Sequence, residues 1–421
     1  MNFTVSDYLV PPITITRIRS MTTSVEAAYE TLAEWCRLRD YKGYDPFDGL
    51  NSRVFQLSPF KYSRVGRLAW LQFLKRSPVN FRSLAAVAPG HNPKGLALFA
   101  LAKLSRFRAL GNQEDSTEAE HLLRRLLDLR STNVKGIAWG YNFDWQNRAF
   151  LATKGTPTIV PTAFAARAFL EAADVIGDPA YVDVASQACE FILKSLNVTE
   201  ESQEELCWSY SPTDHTRVFN ASLLAAETLA LTAKATSNPA LTALAVRGAR
   251  YVVRRQNADG SWAYGAEGFQ SWADNVHTAF ILTSLSRIVN ACGPEVYAEF
   301  IDSIRLGAAF WVTHFFDDDG WPRYYPDDRY PADAHSAGAA LVAFAELNWL
   351  DADNLSRAAR VASWTIRNLR DPSGYFYYQR RRKYTVRTAY MRWSEAWMLY
   401  GIARVLEEGT ASTAVIRASG M

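Results

Sequence analysis

An aromatic turn recurs along the chain as Trp139-Gly140-Tyr141, Trp208-Ser209-Tyr210, Trp262-Ala263-Tyr264, Trp321-Pro322-Arg323-Tyr324 and Tyr375-Phe376-Tyr377. The first rings are 69, 54, 59 and 54 residues apart, too regular for chance and long enough for a helical hairpin plus a loop. After each turn comes a loop and then a segment apolar on nearly every side, at 162–176, 220–233, 278–288, 336–347 and 390–406, with an earlier relative at 92–104. Such segments read as buried inner helices. Between them, 25–39, 117–129, 181–196, 241–256, 295–315 and 354–369 carry one charged face at helical spacing, the pattern of outer helices. Six inner and six outer helices, with one more at 64–75, predict an all-α fold: an (α/α)6 toroid of helical hairpins. It is expected as one domain over 1–421, with 1–22 an N-terminal extension and 409–421 a flexible tail.

The charge balance is close to neutral, 46 Lys and Arg against 43 Asp and Glu. That excludes a chain holding nucleic acid through a broad basic excess. No apolar run reaches the roughly 18 residues of a membrane span, and Met1 to Asp7 lack the basic and apolar regions of a secretory signal. A soluble cytoplasmic protein is expected. Cys36, Cys189, Cys207 and Cys292 are widely separated, too few for a disulfide scaffold and wrongly spaced for structural zinc. Calcium-loop, paired-histidine, Walker and dinucleotide patterns are missing, so no metal and no essential cofactor are expected.

In a ring of hairpins the loops leading into the inner helices collect at one mouth, which is where a site belongs. Three of those loops carry Asp, His and Ser or Thr together: Asp214-His215-Thr216, Asp274 to Thr278 with His277, and Asp333-Ala334-His335-Ser336. Asp, Ser and Thr are also preferred helix caps, so each copy has a structural reading. As a set, carboxylates and imidazoles converging from separate hairpins suit acid/base chemistry. Asp144, with Trp139, Tyr141 and Trp145 close by, and Asp45, beside Tyr44, have the composition of a sugar subsite, flat rings with carboxylates among them. Tyr210, Trp262, Tyr264, Trp272 and Tyr324 extend the aromatic lining. In the last repeat, Tyr378 and Arg387 flank the basic loop 380–383, a combination fit for an acidic sugar.

The stretches Tyr44 to Ser52, Asn92-Pro93-Lys94-Gly95, Trp139 to Trp145, Gln256 to Tyr264 and Asp274 to Thr278 resemble the six-hairpin glycan-active proteins, and most closely a group from bacterial exopolysaccharide gene clusters. The resemblance implies a role in making or trimming a surface polysaccharide, with a poly- or oligosaccharide and other synthesis proteins as partners. A second, single-copy resemblance, Gln256 to Trp262, is to the repeat of triterpene cyclases; the acidic initiation motif of those enzymes is absent. Gln256 and Trp262 are therefore expected to tie a helix end to the next loop.

Three readings follow. A glycoside hydrolase would use two of Asp144, Asp274 and Asp333, whose separation would set inversion or retention. A lyase or uronate epimerase would use His277, His335 or Tyr378 as base, with Arg387 holding a carboxylate. A non-catalytic assembly factor would keep the aromatic groove without the acid/base pair.

Overall fold

The structure, a computed structural model, describes residues 12–146 and 151–419. In chain order its helices are α1 (Pro12–Arg37), two in an excursion, α2 (Arg53–Gln56) and α3 (Arg64–Arg76), then α4 (Pro93–Leu110), α5 (Gln113–Asp128), α6 (Ile159–Ile176), α7 (Ala180–Ser195), α8 (Phe219–Thr236), α9 (Pro239–Val253), α10 (Asn275–Cys292), α11 (Pro294–Phe315), α12 (Ala334–Glu346), α13 (Asn354–Leu369) and α14 (Ala396–Ser419). The even-numbered helices from α4 to α14 pack each on the next, and α14 returns to α4. Five outer helices, α5 to α13, lie on the inner helices they follow, and α1 fills the sixth outer place against α13 and α14. This is the (α/α)6 toroid that the repeat predicts. Of the segments expected as extension and tail, 12–22 belongs to α1 and 409–419 to α14; 1–11 and 420–421 lie outside the described residues. Among the described residues no helix is long and apolar enough to cross a membrane.

Each inner helix touches two inner neighbours and an outer one, which is why its apolar side chains run all round; every residue of α4 from Pro93 to Arg106 is buried. The helix starts are written locally. Asn92 accepts the amides of Lys94 and Gly95 at 3.1 and 3.4 Å, with Pro93 in the first turn. Outer helices end on tryptophans of the repeat: the Trp139 indole donates to the Leu126 carbonyl at 2.7 Å and that of Trp262 to Val252 at 3.0 Å. Each adds a second donor to a last-turn carbonyl that otherwise accepts a short 3-10-type amide bond, from Leu129 at 3.1 Å and from Arg255 at 3.1 Å. Gln256 donates to the Ser303 carbonyl at 3.0 Å and accepts from the Ser303 hydroxyl at 2.6 Å, so Gln256 and Trp262 make the expected tie.

Inside the ring the inner helices are joined by charge. Arg167 meets Glu227 at 2.7 Å, Glu227 meets Arg287 at 3.4 Å, Arg287 meets Glu346 at 2.9 Å and Glu346 meets Arg404 at 3.8 Å. Arg404 pairs with Glu407, Glu407 with Arg108 at 2.6 Å, and Arg108 with Glu171 at 2.9 Å. The circuit leaves α6 at Arg167 and returns to it at Glu171, visiting all six inner helices. Arg287 and Arg404 outweigh burial at Glu346 and hold its carboxyl down at about 2.

Short strands trim the loops. β1 (Trp145–Gln146) pairs with β2 (Leu151–Ala152), and β3 (Val198–Glu201) with β4 (Leu206–Trp208). A four-stranded antiparallel sheet runs β5 (Arg323–Tyr325), β6 (Asp328–Asp333), β7 (Gln379–Arg380), β8 (Thr385–Val386). Its register sets Gln379 opposite Asp333, the residue that opens α12.

Candidate active site

Because inner and outer helices alternate in direction, all six inner helices begin at one end of the ring. There Phe164, Phe280 and Trp397 pack together at centroid distances of 5.1–5.9 Å and form a floor. Below it, lined by Arg167, Thr283, Ser284 and Arg287, is a space of about 10 Å³, room for roughly one water.

Two histidines stand at this floor, on the first turns of adjacent inner helices. Their rings lie 6.1 and 6.0 Å from that of Phe280. His277 takes Asp274 as partner: Nδ1 is 2.7 Å from Oδ2, while Oδ1 accepts the His277 amide at 2.9 Å. Trp272 donates to the same carboxylate at 3.3 Å. Burial pushes the Asp274 carboxyl up, but the His277 charge and these hydrogen bonds outweigh it, so it lies below the ordinary range and is ionised at neutral pH. An ionised partner at Nδ1 keeps the proton there and leaves Nε2 with its lone pair. The Tyr264 ring, stacked on Trp272 at 4.8 Å, meets His277 edge-on at 4.6 Å.

His335 differs. It is buried against Trp393 at 4.2 Å and Trp397 at 5.0 Å, and neither ring nitrogen has a hydrogen-bond partner. Burial, then the cations of Lys94 and Arg392, hold this imidazole well below its usual value, so it is neutral. Asp333 caps the helix below it through the His335 amide at 2.8 Å and accepts from Gln379 at 3.0 Å and Trp393 at 3.3 Å. Burial pushes its carboxyl up.

Two lysines complete the site. Lys94 Nζ stands 4.5, 4.9 and 5.1 Å from the centroids of Phe164, Phe280 and Trp397, with no carboxylate within 4 Å among the described residues. Burial, then Arg392 and Arg167, hold its ammonium well below the usual lysine value. Lys75 reaches in from α3, 4.3 Å from the Phe47 ring and 5.6 Å from that of Trp393, also without a carboxylate inside 4 Å. Asp45 neutralises neither at contact distance, because both its oxygens are held by Arg392 at 2.6 and 2.8 Å.

The remaining expected residues divide. Tyr141 and Tyr210 join hydroxyls at 3.1 Å, Trp145 packs on both, and Tyr324 lies close enough to Asp274 and Asp333 for their charges to act on its phenol. Tyr44 sits in a neighbouring cleft with Asp45, Asn92 and Arg392. Trp139 and Trp262 do not face the mouth; both are fully buried as the helix-end ties described above. Asp144 accepts the Lys154 amide at 2.7 Å and shapes its own loop. Asp214 is closed on Ser211 and Thr216, and His215 is exposed, since α8 opens four residues later and is not capped by this copy of the motif. Arg387 is exposed over the Tyr377 ring at 5.5 Å, while Tyr378 is buried against Tyr390, so the two are not brought together. Glu395, buried just before α14, accepts the Phe376 amide at 2.8 Å, its other oxygen unpartnered. Lys75, Phe280 and Trp397 escape sequence reasoning. Lys94 had one legible signal, a charge just inside the start of an inner helix whose next charge is Lys103.

No protein-family model and no curated sequence matches the chain. Solved structures do. A sugar epimerase from a ruminal bacterium aligns over 78% of this chain and 90% of its own at 13% identity and a TM-score of 0.59. The cellobiose 2-epimerase of Bacillus thermoamylovorans aligns over the same shares at 14% and 0.58. An unsaturated glucuronyl hydrolase from Bacillus sp. covers 91% of this chain and 96% of its own at 11% and 0.60. What this chain has in common with them is the toroid fold.

Proposed function

We propose that this protein is a sugar epimerase or isomerase that moves a proton at the carbon beside a sugar carbonyl, with His277 as the base. The Asp274–His277 pair carries this reading: an ionised, buried carboxylate holds Nδ1 at 2.7 Å on a partly exposed ring and leaves Nε2 to act as base. Nε2 would take the proton from the carbon, the electron pair would move into the carbonyl as an enediolate, and reprotonation on the other face or the neighbouring carbon would give epimer or isomer. His335, neutral and unsatisfied on both nitrogens, is the second proton-transfer group. Two of the fold's likenesses are sugar epimerases, which agrees with this chemistry. Lys75 and Lys94, amines with no carboxylate within 4 Å among the described residues, favour a sugar carrying a carboxylate or phosphate, whose charge would hold the proton on Lys94 that burial draws off. In the exopolysaccharide setting that the sequence resemblance implies, such a sugar would be a building block or a chain end.

The test is deuterium uptake from D2O into aldoses, uronates and sugar phosphates, followed by proton NMR, beside His277→Ala. Exchange at one carbon that the variant loses supports the proposal; no exchange in any sugar sinks it. Glycoside hydrolysis is the second reading, favoured by the raised carboxyl of Asp333. It ranks lower because both oxygens of Asp333 are engaged and Asp144 is tied into its loop. New reducing ends from a polysaccharide would reverse the order.

A further inference from the structure

The excursion between α1 and α4 holds Lys75 at the mouth and a thin core of Leu50, Phe55 and Leu71 against Trp70. Much of the rest exposes apolar side chains to solvent. Eight of the nineteen exposed large apolar side chains among the described residues fall within 54–84, among them Leu57 at 89%, Tyr62 at 81%, Leu84 at 79%, Val65 at 76% and Phe60 at 63% exposed. Singly exposed apolar residues are ordinary; this density on one short excursion is the mark of an interaction surface.

The charge pattern says what kind. From 49 to 113 the chain contains no Asp or Glu, and Arg53, Arg64 and Arg76 are exposed among the apolar side chains. A second copy of this surface would bring cation onto cation across a two-fold axis. Nucleic acid would leave Leu57, Val65 and Leu84 in water, since aliphatic side chains do not stack on bases. A bilayer with anionic headgroups satisfies both halves: apolar and aromatic side chains enter the headgroup boundary while arginines stay at the phosphates.

We infer that residues 53–84 form a docking surface by which this protein lies on an anionic membrane, held by exposed apolar side chains and the cations between them. The barrel itself would stay in the aqueous phase, since the docking elements are α2, α3 and the turns around them.

Sedimentation of the full-length protein with vesicles tests this. Wild type is expected to pellet with phosphatidylcholine vesicles containing phosphatidylglycerol, to pellet far less with phosphatidylcholine alone, and to be released by salt. Leu57→Asp with Phe60→Asp, and separately Arg53→Glu with Arg76→Glu, should each lower binding by about tenfold or more. All four side chains are exposed, so the variants should keep the wild-type melting temperature; Leu306→Asp, an exposed apolar position on α11, should bind as wild type does. Failure of wild type to pellet, or equal pelleting of wild type and the 57/60 variant, overturns the inference. So does a wild-type dimer that the 57/60 variant dissolves, which would make the surface a self-interface.

Discussion

The Asp274 carboxylate serves both the backbone and the ring of one residue, accepting the His277 amide on Oδ1 and facing Nδ1 with Oδ2. Helix cap and, in the proposed reaction, orienter of the base are thus the same group. Asp274→Asn keeps an oxygen for the cap but turns an NH2 toward Nδ1, forcing the proton to Nε2. The expected result is a loss of proton exchange of about 10²–10⁴-fold with a stability change of about 1 kcal/mol or less. Deuterium uptake and thermal melting read the two separately; unchanged exchange would remove His277 from the mechanism.

Lys94 separates binding from folding in the opposite sense. Its amine has three aromatic faces and, among the described residues, no carboxylate within 4 Å, so the cost of burying it is uncompensated in the free protein. Lys94→Met should raise stability by about 1–2 kcal/mol while weakening the binding of carboxylate- or phosphate-bearing sugars. Denaturant titration beside calorimetry checks it. Destabilisation would mean that the cage holds the amine for structural reasons.

Two buried glutamates predict opposite pH behaviour. Glu346 sits at about 2, below its unfolded value, so the stability it contributes is full above about 4.5 and is lost as pH falls toward 2. Glu395 is pushed well above its ordinary value by burial, so its contribution is full below about 4.5 and fades as pH rises. Glu395→Gln keeps the acceptor for Phe376 and removes that alkaline loss. Wild type should fall behind the variant by about 1.4 kcal/mol per pH unit until the folded carboxyl ionises, as urea melts at several pH values would show.

The interior charge circuit should behave as a unit. Glu227→Leu takes from Arg167 its carboxylate partner and from Arg287 one of two. The cost should be about 3–5 kcal/mol, and adding Arg167→Met should recover part of it. A double-mutant cycle in urea measures the coupling; strict additivity would contradict the circuit.

Gly307 tests the structural reading of Trp262. A Cβ there would come within 2.4 Å of the indole ring. Gly307→Ala should destabilise by about 1–3 kcal/mol with catalytic constants unchanged in the folded fraction. A selective loss of activity would return Trp262 to the sugar-binding surface.

The ring was legible in the sequence because each hairpin repeats the same local instructions: an aromatic turn, a cap, and an all-round apolar helix. The same instructions misled at Trp139, and at Trp262 in offering it to the aromatic lining as well as to the helix-end tie it makes. A ring that ends a helix and a ring that stacks on a sugar look alike in one dimension, and the distinction lies in whether a last-turn carbonyl is within reach of the indole. The Asp-His motif told more at Asp274 and Asp333, where it sits at the helix start, than at Asp214, where α8 begins later. Lys75 was invisible, since only the excursion's return to the mouth gives it a role.

The charge circuit through the inner helices also makes the barrel a cul-de-sac. Below the aromatic floor there is room for about one water before Arg167, Glu227 and Arg287 close the way. Whatever enters past His277 must back out through the same door. A polymer cannot be threaded through such a vessel; it can offer only an end or a single residue. Product and reactant would also contend for one threshold, so inhibition by product should be competitive in form.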